Sequence, residues 1–120
     1  MQDFTGMQNL VDQQTYQKVR LKPAAVDAIV HAFKENFAVT DHLWIFGSRV
    51  ILTARGGDID LYIETQEQDV EKVYMQKNKF VSGIWDQIGE QRIDVVVKFV
   101  NDDFEIPIYK VAIKNGVKLV

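Results

Sequence analysis

Apolar side chains recur at every third or fourth position from Pro23 to about Phe37: Val26, Ile29, Val30, Phe33 and Phe37. That spacing predicts an amphipathic helix, and Pro23 suits its first turn, where a missing N–H costs nothing. The polar face holds Asp27, His31, Lys34 and Glu35, which reads His31 as a solvated surface histidine. Leu43 to Phe46 is a short continuous apolar run and predicts a strand buried on both faces. Gly47-Ser48 ends it, and residues 49–57 read as a turn holding one helical turn. Asp58 to Glu64 then alternates strictly: Ile59, Leu61 and Ile63 point one way, and Asp58, Asp60, Tyr62 and Glu64 the other.

Val70, Val73, Tyr74, Lys77, Phe80, Val81, Ile84, Trp85 and Ile88 mark a long helix. Gly83 is a weak point inside it and Gly89 its expected stop. Arg92 to Val100 is β-branched and predicts a third strand, followed by a helix from about Pro107 to Asn115. A last short strand, Val117 to Val120, is expected after Gly116. The order implies a small mixed sheet with helices packed against it, an α/β or α+β sandwich. Residues 1–20 are polar, glutamine-rich and weakly periodic, and read as an N-terminal arm; residues 21–120 read as the folded domain.

The 120 residues suit a single core. With 47% apolar and 26% charged residues, the chain has the balance of a soluble globular protein, and its apolar runs fall short of the ~20 residues of a membrane span. MQDFTGMQNL lacks a basic stretch followed by an apolar one, so no secretory leader is expected. The absence of cysteine removes disulfides, thiolate metal sites and a cysteine nucleophile, and fits a cytoplasmic location. A net charge of −3 argues against broad nucleic-acid binding but leaves a small phosphorylated ligand open.

Aspartate is a poor strand former, yet Asp58 and Asp60 lie one residue apart on one strand face. Two adjacent carboxylates repel. A divalent cation compensates them, and Mg²⁺ favours carboxylate and phosphate oxygens with few protein ligands. Asp94 is a lone acid in the apolar run of the third strand, and neighbouring strands would bring it to the same face. Three carboxylates can hold two Mg²⁺ ions about 3.5–4 Å apart, the separation used for in-line nucleotidyl transfer. Gly47 allows backbone to approach a ligand closely, and the Ser48 hydroxyl can bond a phosphate oxygen. A helical turn starting at residue 48 would aim free N–H groups at an anion. Arg49 and Arg55 add charge that matches phosphate. Tyr62 shares the acidic face; it reads as core or rim, with stacking on a base or ribose the other reading. The acids of NDDFEIP are expected to favour the start of the last helix rather than bind metal.

Taken singly, each of these features is common on protein surfaces. Together, Gly-Ser, nine residues, Asp-x-Asp and a later strand with one Asp resemble the nucleotidyltransferase superfamily related to DNA polymerase β. FGSRV, GGDIDLYIE, IGEQRIDVVV and IPIYKVAIKNGVKLV are most similar to its smallest members, the minimal nucleotidyltransferases of the antitoxin type. The resemblance runs from about Leu21 onward and implies the nucleotidyltransferase fold. It implies that Gly47 and Ser48 contact the triphosphate with Arg49 assisting, and that Asp58 and Asp60 bind both metals. Asp94 would hold the catalytic metal and help deprotonate the attacking hydroxyl. Val50-Ile51-Leu52 departs from the short polar or acidic residues many relatives carry, and reads as an apolar contact, a partner surface or a changed loop.

The resemblance implies transfer of a nucleoside monophosphate, AMP from ATP in the leading reading, to an acceptor hydroxyl with release of pyrophosphate. A domain this small leaves the acceptor side to a partner or to a second copy of the chain. In the minimal group that partner is often a helical HEPN-type toxin, modified on a tyrosine. Two alternatives stay open: a non-catalytic nucleotide-binding module that neutralises a helical partner by covering it, and transfer to a small molecule.

Overall fold

The computed structural model describes residues 10–120. A short helix α1 (Gln13–Lys18) leads into α2 (Pro23–Asn36), β1 (His42–Phe46), a single 3₁₀ turn (Gly47–Val50) and β2 (Ile59–Thr65). Then come α3 (Val70–Ile88), β3 (Ile93–Phe99), α4 (Pro107–Asn115) and β4 (Val117–Lys118). The strands form one mixed sheet in the order β3-β2-β1-β4. β1 pairs antiparallel with both β2 and β4, and β2 runs parallel to β3. A parallel pair needs a long crossover, and α3 supplies it. The α+β sandwich expected from the periodicity is the architecture found.

Helix ends follow local chemistry. Pro23 and Pro107 open α2 and α4. Asp69 caps α3 by accepting from the backbone N–H groups of Glu71 and Lys72, and Gly89 closes it at a φ of 88°. Gly83 does not interrupt α3; a Cβ there would sit 3.4 Å from that of Ala32, so the glycine lets α2 and α3 pack closely. His31 is exposed on α2 and paired with Glu35. The acids before α4 do not cap it: Asp102 accepts from the Phe104 N–H, Glu105 pairs with Lys98, and the first turn holds no acid.

The central strands β1 and β2 are buried on both faces, and the edge strand β3 is half-buried. One face carries Leu43, Ile45, Ile59, Leu61 and Ile63 against Val26, Ile29, Val30 and Phe33 of α2 and Phe80 and Ile84 of α3. Phe33 stacks on Phe37 at 5.0 Å, and Phe80 meets both rings edge-on. The other face is aromatic, with Trp44, Phe46 and Tyr62 against Tyr109 and Ala112 of α4. Lys98 and Lys118 lie over Tyr109 and Trp44. Residues 10–20, read as part of an arm, supply Val19 to the core, and Leu10, Val11 and Tyr16 pack against it. Residues 1–9 of that arm lie outside the described residues. Among the described residues, no helix is long and apolar enough to cross a membrane.

The far end of β1 and β2 is locked by Asp41, which is 1% exposed. Its carboxylate accepts from the Thr65 hydroxyl at 2.9 Å, the Gln66 N–H at 2.9 Å and the Ala38 N–H at 3.3 Å. Asp41→Ala leaves these donors without their acceptor, so urea unfolding is expected to show a loss of about 2–3 kcal/mol.

Candidate metal and phosphate site

Three strand ends meet at the opposite edge of the sheet. Antiparallel pairing sets Phe46, the last residue of β1, across from Asp60. Parallel pairing sets Asp60 directly beside Asp94. Adjacent strands run about 4.8 Å apart, so the two carboxylates emerge side by side on one face. Asp58 lies just ahead of β2, two positions before Asp60 and on the same face. The structure therefore brings the three predicted acids together.

Gly47 leaves β1 at a φ of 75°, a left-handed conformation that glycine adopts without strain. A Cβ at this position would overlap the Asp60 carboxylate. Gly57, at a φ of 94°, lies against the Ser48 side chain in the same way. The two ends of the 47–58 loop thus close on each other, with Ser48 beside Gly57 and Gly47 on Asp60. The helical turn expected at residue 48 is one 3₁₀ turn of four residues. A turn that short has little macrodipole, so a phosphate reading here rests on the glycine, the serine hydroxyl and nearby cations.

The cations divide into two kinds. Arg49 donates to the carbonyl oxygens of Arg20 at 3.1 Å and Gly57 at 2.9 Å, so two guanidinium nitrogens brace the loop. Its buried Nε has no hydrogen-bond partner. The Arg55 side chain is exposed and, among the described residues, has no hydrogen bond or ion pair. Arg92 lies between two of the acids, with Nε 3.4 Å from Asp58 Oδ2 and 3.6 Å from Asp94 Oδ2. All three side chains are about half exposed or more, so these pairs are weak.

One arginine does not neutralise three carboxylates. The Asp60 carboxyl is held above its ordinary 3.8, first by partial burial, then by the charges of Asp94 and Asp58, while Arg92 pulls it down. As the side chains stand, no group of three His, Asp or Glu among the described residues is arranged to hold a metal ion. The donor set nonetheless suits Mg²⁺, which takes one or two carboxylates, keeps several waters and completes its shell with phosphate oxygens. The uncompensated charge at Asp60 and the bare Gly47 backbone against it are the features that fit such an ion.

Tyr62 is fully buried and donates to Glu64 at 2.8 Å. Burial and the neighbouring Glu64 carboxylate raise its hydroxyl pKa far above the ordinary value. It is a core residue, and stacking on a base is ruled out for it. In the loop, Val50 packs on the core, whereas Ile51 and Leu52 are 53% and 59% exposed.

Two contributors escaped the sequence reading. Arg92 lies two positions before Asp94 and so shares its face, a signal available from strand periodicity. Arg20 contacts loop residues 28 to 36 positions away, and no local pattern announces that. No family model matches the chain, and no curated protein matches it.

The raised Asp60 carboxyl has a stability consequence. Above its folded value the ionised acid destabilises the native state in full; the penalty fades as pH falls through that value toward 3.8. Asp60→Asn is therefore expected to raise the melting midpoint at pH 7 by about 2 °C, or about 0.5 kcal/mol after solvent screening. Calorimetry across pH should show this gain shrinking as Asp60 of the wild type takes up its proton.

Proposed function

We propose that the chain is a minimal nucleotidyltransferase that moves AMP from ATP to a hydroxyl of a partner protein. The observation that carries this reading is the register of β2 and β3, which sets Asp60 beside Asp94 at the edge where Gly47 and Ser48 leave β1. The same edge gathers Asp58 and Arg92, so carboxylates for a cation lie next to the glycine and serine suited to phosphate. The mixed sheet with helices on both faces agrees with the fold that the sequence resemblance implies.

Asp58, Asp60 and Asp94 would hold two Mg²⁺ ions, which when bound neutralise the phosphate charge and favour the attacking oxygen. Gly47 and the Ser48 hydroxyl position the β- and γ-phosphates, with Arg55 as the cation free to reach them. Arg49 serves by keeping the loop closed. In the transfer, an acceptor hydroxyl oxygen forms a bond to the α-phosphorus as the bond to the pyrophosphate oxygen breaks. The hydroxyl proton passes to the Asp94 carboxylate. Such chemistry needs positioning and charge compensation, not a special nucleophile on this chain.

On this reading a partner or a second copy of the chain supplies the acceptor. In the group that the sequence resembles, the partner is often a helical HEPN-type toxin, and the acceptor a tyrosine. Exposed Ile51 and Leu52 beside Ser48 offer an apolar contact for such a protein. The same pair supports a second reading, in which the chain silences a helical partner by covering it and only binds nucleotide. Transfer to a small molecule would need a second wall, from a homo-oligomer.

Labelled ATP, Mg²⁺ and a helical partner encoded beside this chain are expected to give a labelled partner. Asp58→Asn or Asp94→Asn should cut the transfer rate by about 10²-fold or more. MgATP at a hundred times its dissociation constant should add about 2.7 kcal/mol of stability. A stabilised chain that transfers no label supports the covering module; no stabilisation and no label refute nucleotide binding altogether.

A further inference from the structure

The segment between β1 and β2 carries Ser48 at one end and Asp58 at the other; within it the Ile51 N–H bonds to the Ser48 carbonyl, the Ala54 N–H to the Ile51 carbonyl, and the Arg49 side chain to the Gly57 carbonyl. Arg20, three residues before α2 begins, supports it from outside. The Arg20 guanidinium donates to the carbonyl oxygens of Ser48 at 3.2 Å, Ile51 at 3.3 Å and Gly56 at 2.5 Å. The Arg20 N–H donates to the Arg49 carbonyl at 2.6 Å, and Arg49 in return donates to the Arg20 carbonyl. Arg49 also holds Gly57, so the two guanidinium groups tie both limbs of the loop to each other. Val19, 4% exposed and part of the core, anchors this segment one residue away.

We infer that Arg20 is a positioning residue for the phosphate loop: it fixes Ser48 and Gly57 in their closed arrangement and so sets the site's affinity for a nucleoside triphosphate. A planar guanidinium is suited to this because it reaches several carbonyl oxygens in a fixed fork, which a lysine ammonium cannot reproduce. Three carbonyl acceptors leave Arg20 engaged as a brace, in contrast to exposed Arg55. The carboxylates stand on β2 and β3 and do not depend on this brace. Arg20 therefore governs the phosphate half of the site and not the metal half. The ligand part of this inference rests on the nucleotidyl-transfer reading; the brace itself does not.

The test compares wild type, Arg20→Ala and Arg20→Lys by amide hydrogen exchange and by titration with Mn²⁺ alone, then with ATP in the presence of Mn²⁺. In Arg20→Ala, amides from Ser48 to Gly57 are expected to exchange roughly ten-fold faster, while those of β1, β2 and β3 stay within about two-fold. Mn²⁺ affinity should stay within about two-fold and ATP affinity fall roughly ten-fold, with Arg20→Lys recovering part of both changes. Arg20→Met keeps an unbranched stem and carries the same expectation should Arg20→Ala not fold. Unchanged exchange across the loop overturns the brace. Weaker ATP binding without faster exchange also overturns it, since Arg20 would then be a direct phosphate ligand. A wild type that binds Mn²⁺ but not ATP refutes the nucleotide reading alone, and loop exchange still judges the brace.

Discussion

The structure turns on one pairing: β2 and β3 run parallel and in register, so that Asp60 and Asp94 emerge side by side. The hydrophobic core enforces it. Ile59, Leu61 and Ile63 are fully buried on the face opposite the acids, and a slip of one residue would turn them onto the acid-bearing face, away from α2 and α3. The core contacts of Phe33, Phe80 and Ile84 therefore also fix where the carboxylates stand. Once those positions are set, electrostatics follows: Asp58 adds a third charge, Arg92 offsets part of it, and the Asp60 carboxyl is left above its ordinary pKa.

A second constraint is close approach. Gly47 lies against Asp60 and Gly57 against Ser48, in both cases without room for a side chain. The loop between them is held from outside by Arg20 and from within by Arg49, through backbone carbonyl oxygens. These features give the two halves of the candidate site separate supports, the strands for the acids and the arginine brace for the loop. On the proposed function, that division separates the half that would hold metal from the half that would hold phosphate.

Much of this was legible along the chain. Period-2 alternation put Asp58 and Asp60 on one face, and the lone Asp94 in a β-branched run marked its partner strand. Helical spacing located α2 and α3 closely, because burial there dominates local preference. Other features were hidden for physical reasons. Strand order is decided by the long crossover through α3, so the meeting of residues 60 and 94 was conditional until the sheet was known. Arg49 matched phosphate by residue type, yet its NH groups are taken by carbonyls that only the folded loop presents. The acids of NDDFEIP suited a helix start by composition, but Glu105 turns to Lys98 and α4 begins at Pro107 without them. Arg20 looked like the end of an arm because its contacts are all distant in sequence.

The most direct test of the central claim is a crystal structure with Mn²⁺ and a non-hydrolysable ATP analogue, with anomalous scattering recorded at the manganese edge. Two anomalous peaks are expected among the carboxylates of Asp58, Asp60 and Asp94, with the triphosphate against Gly47 and Ser48 and Arg92 displaced from between the acids. A structure in which the analogue binds elsewhere, or in which manganese ignores all three acids while Arg92 keeps bridging Asp58 and Asp94, would contradict it.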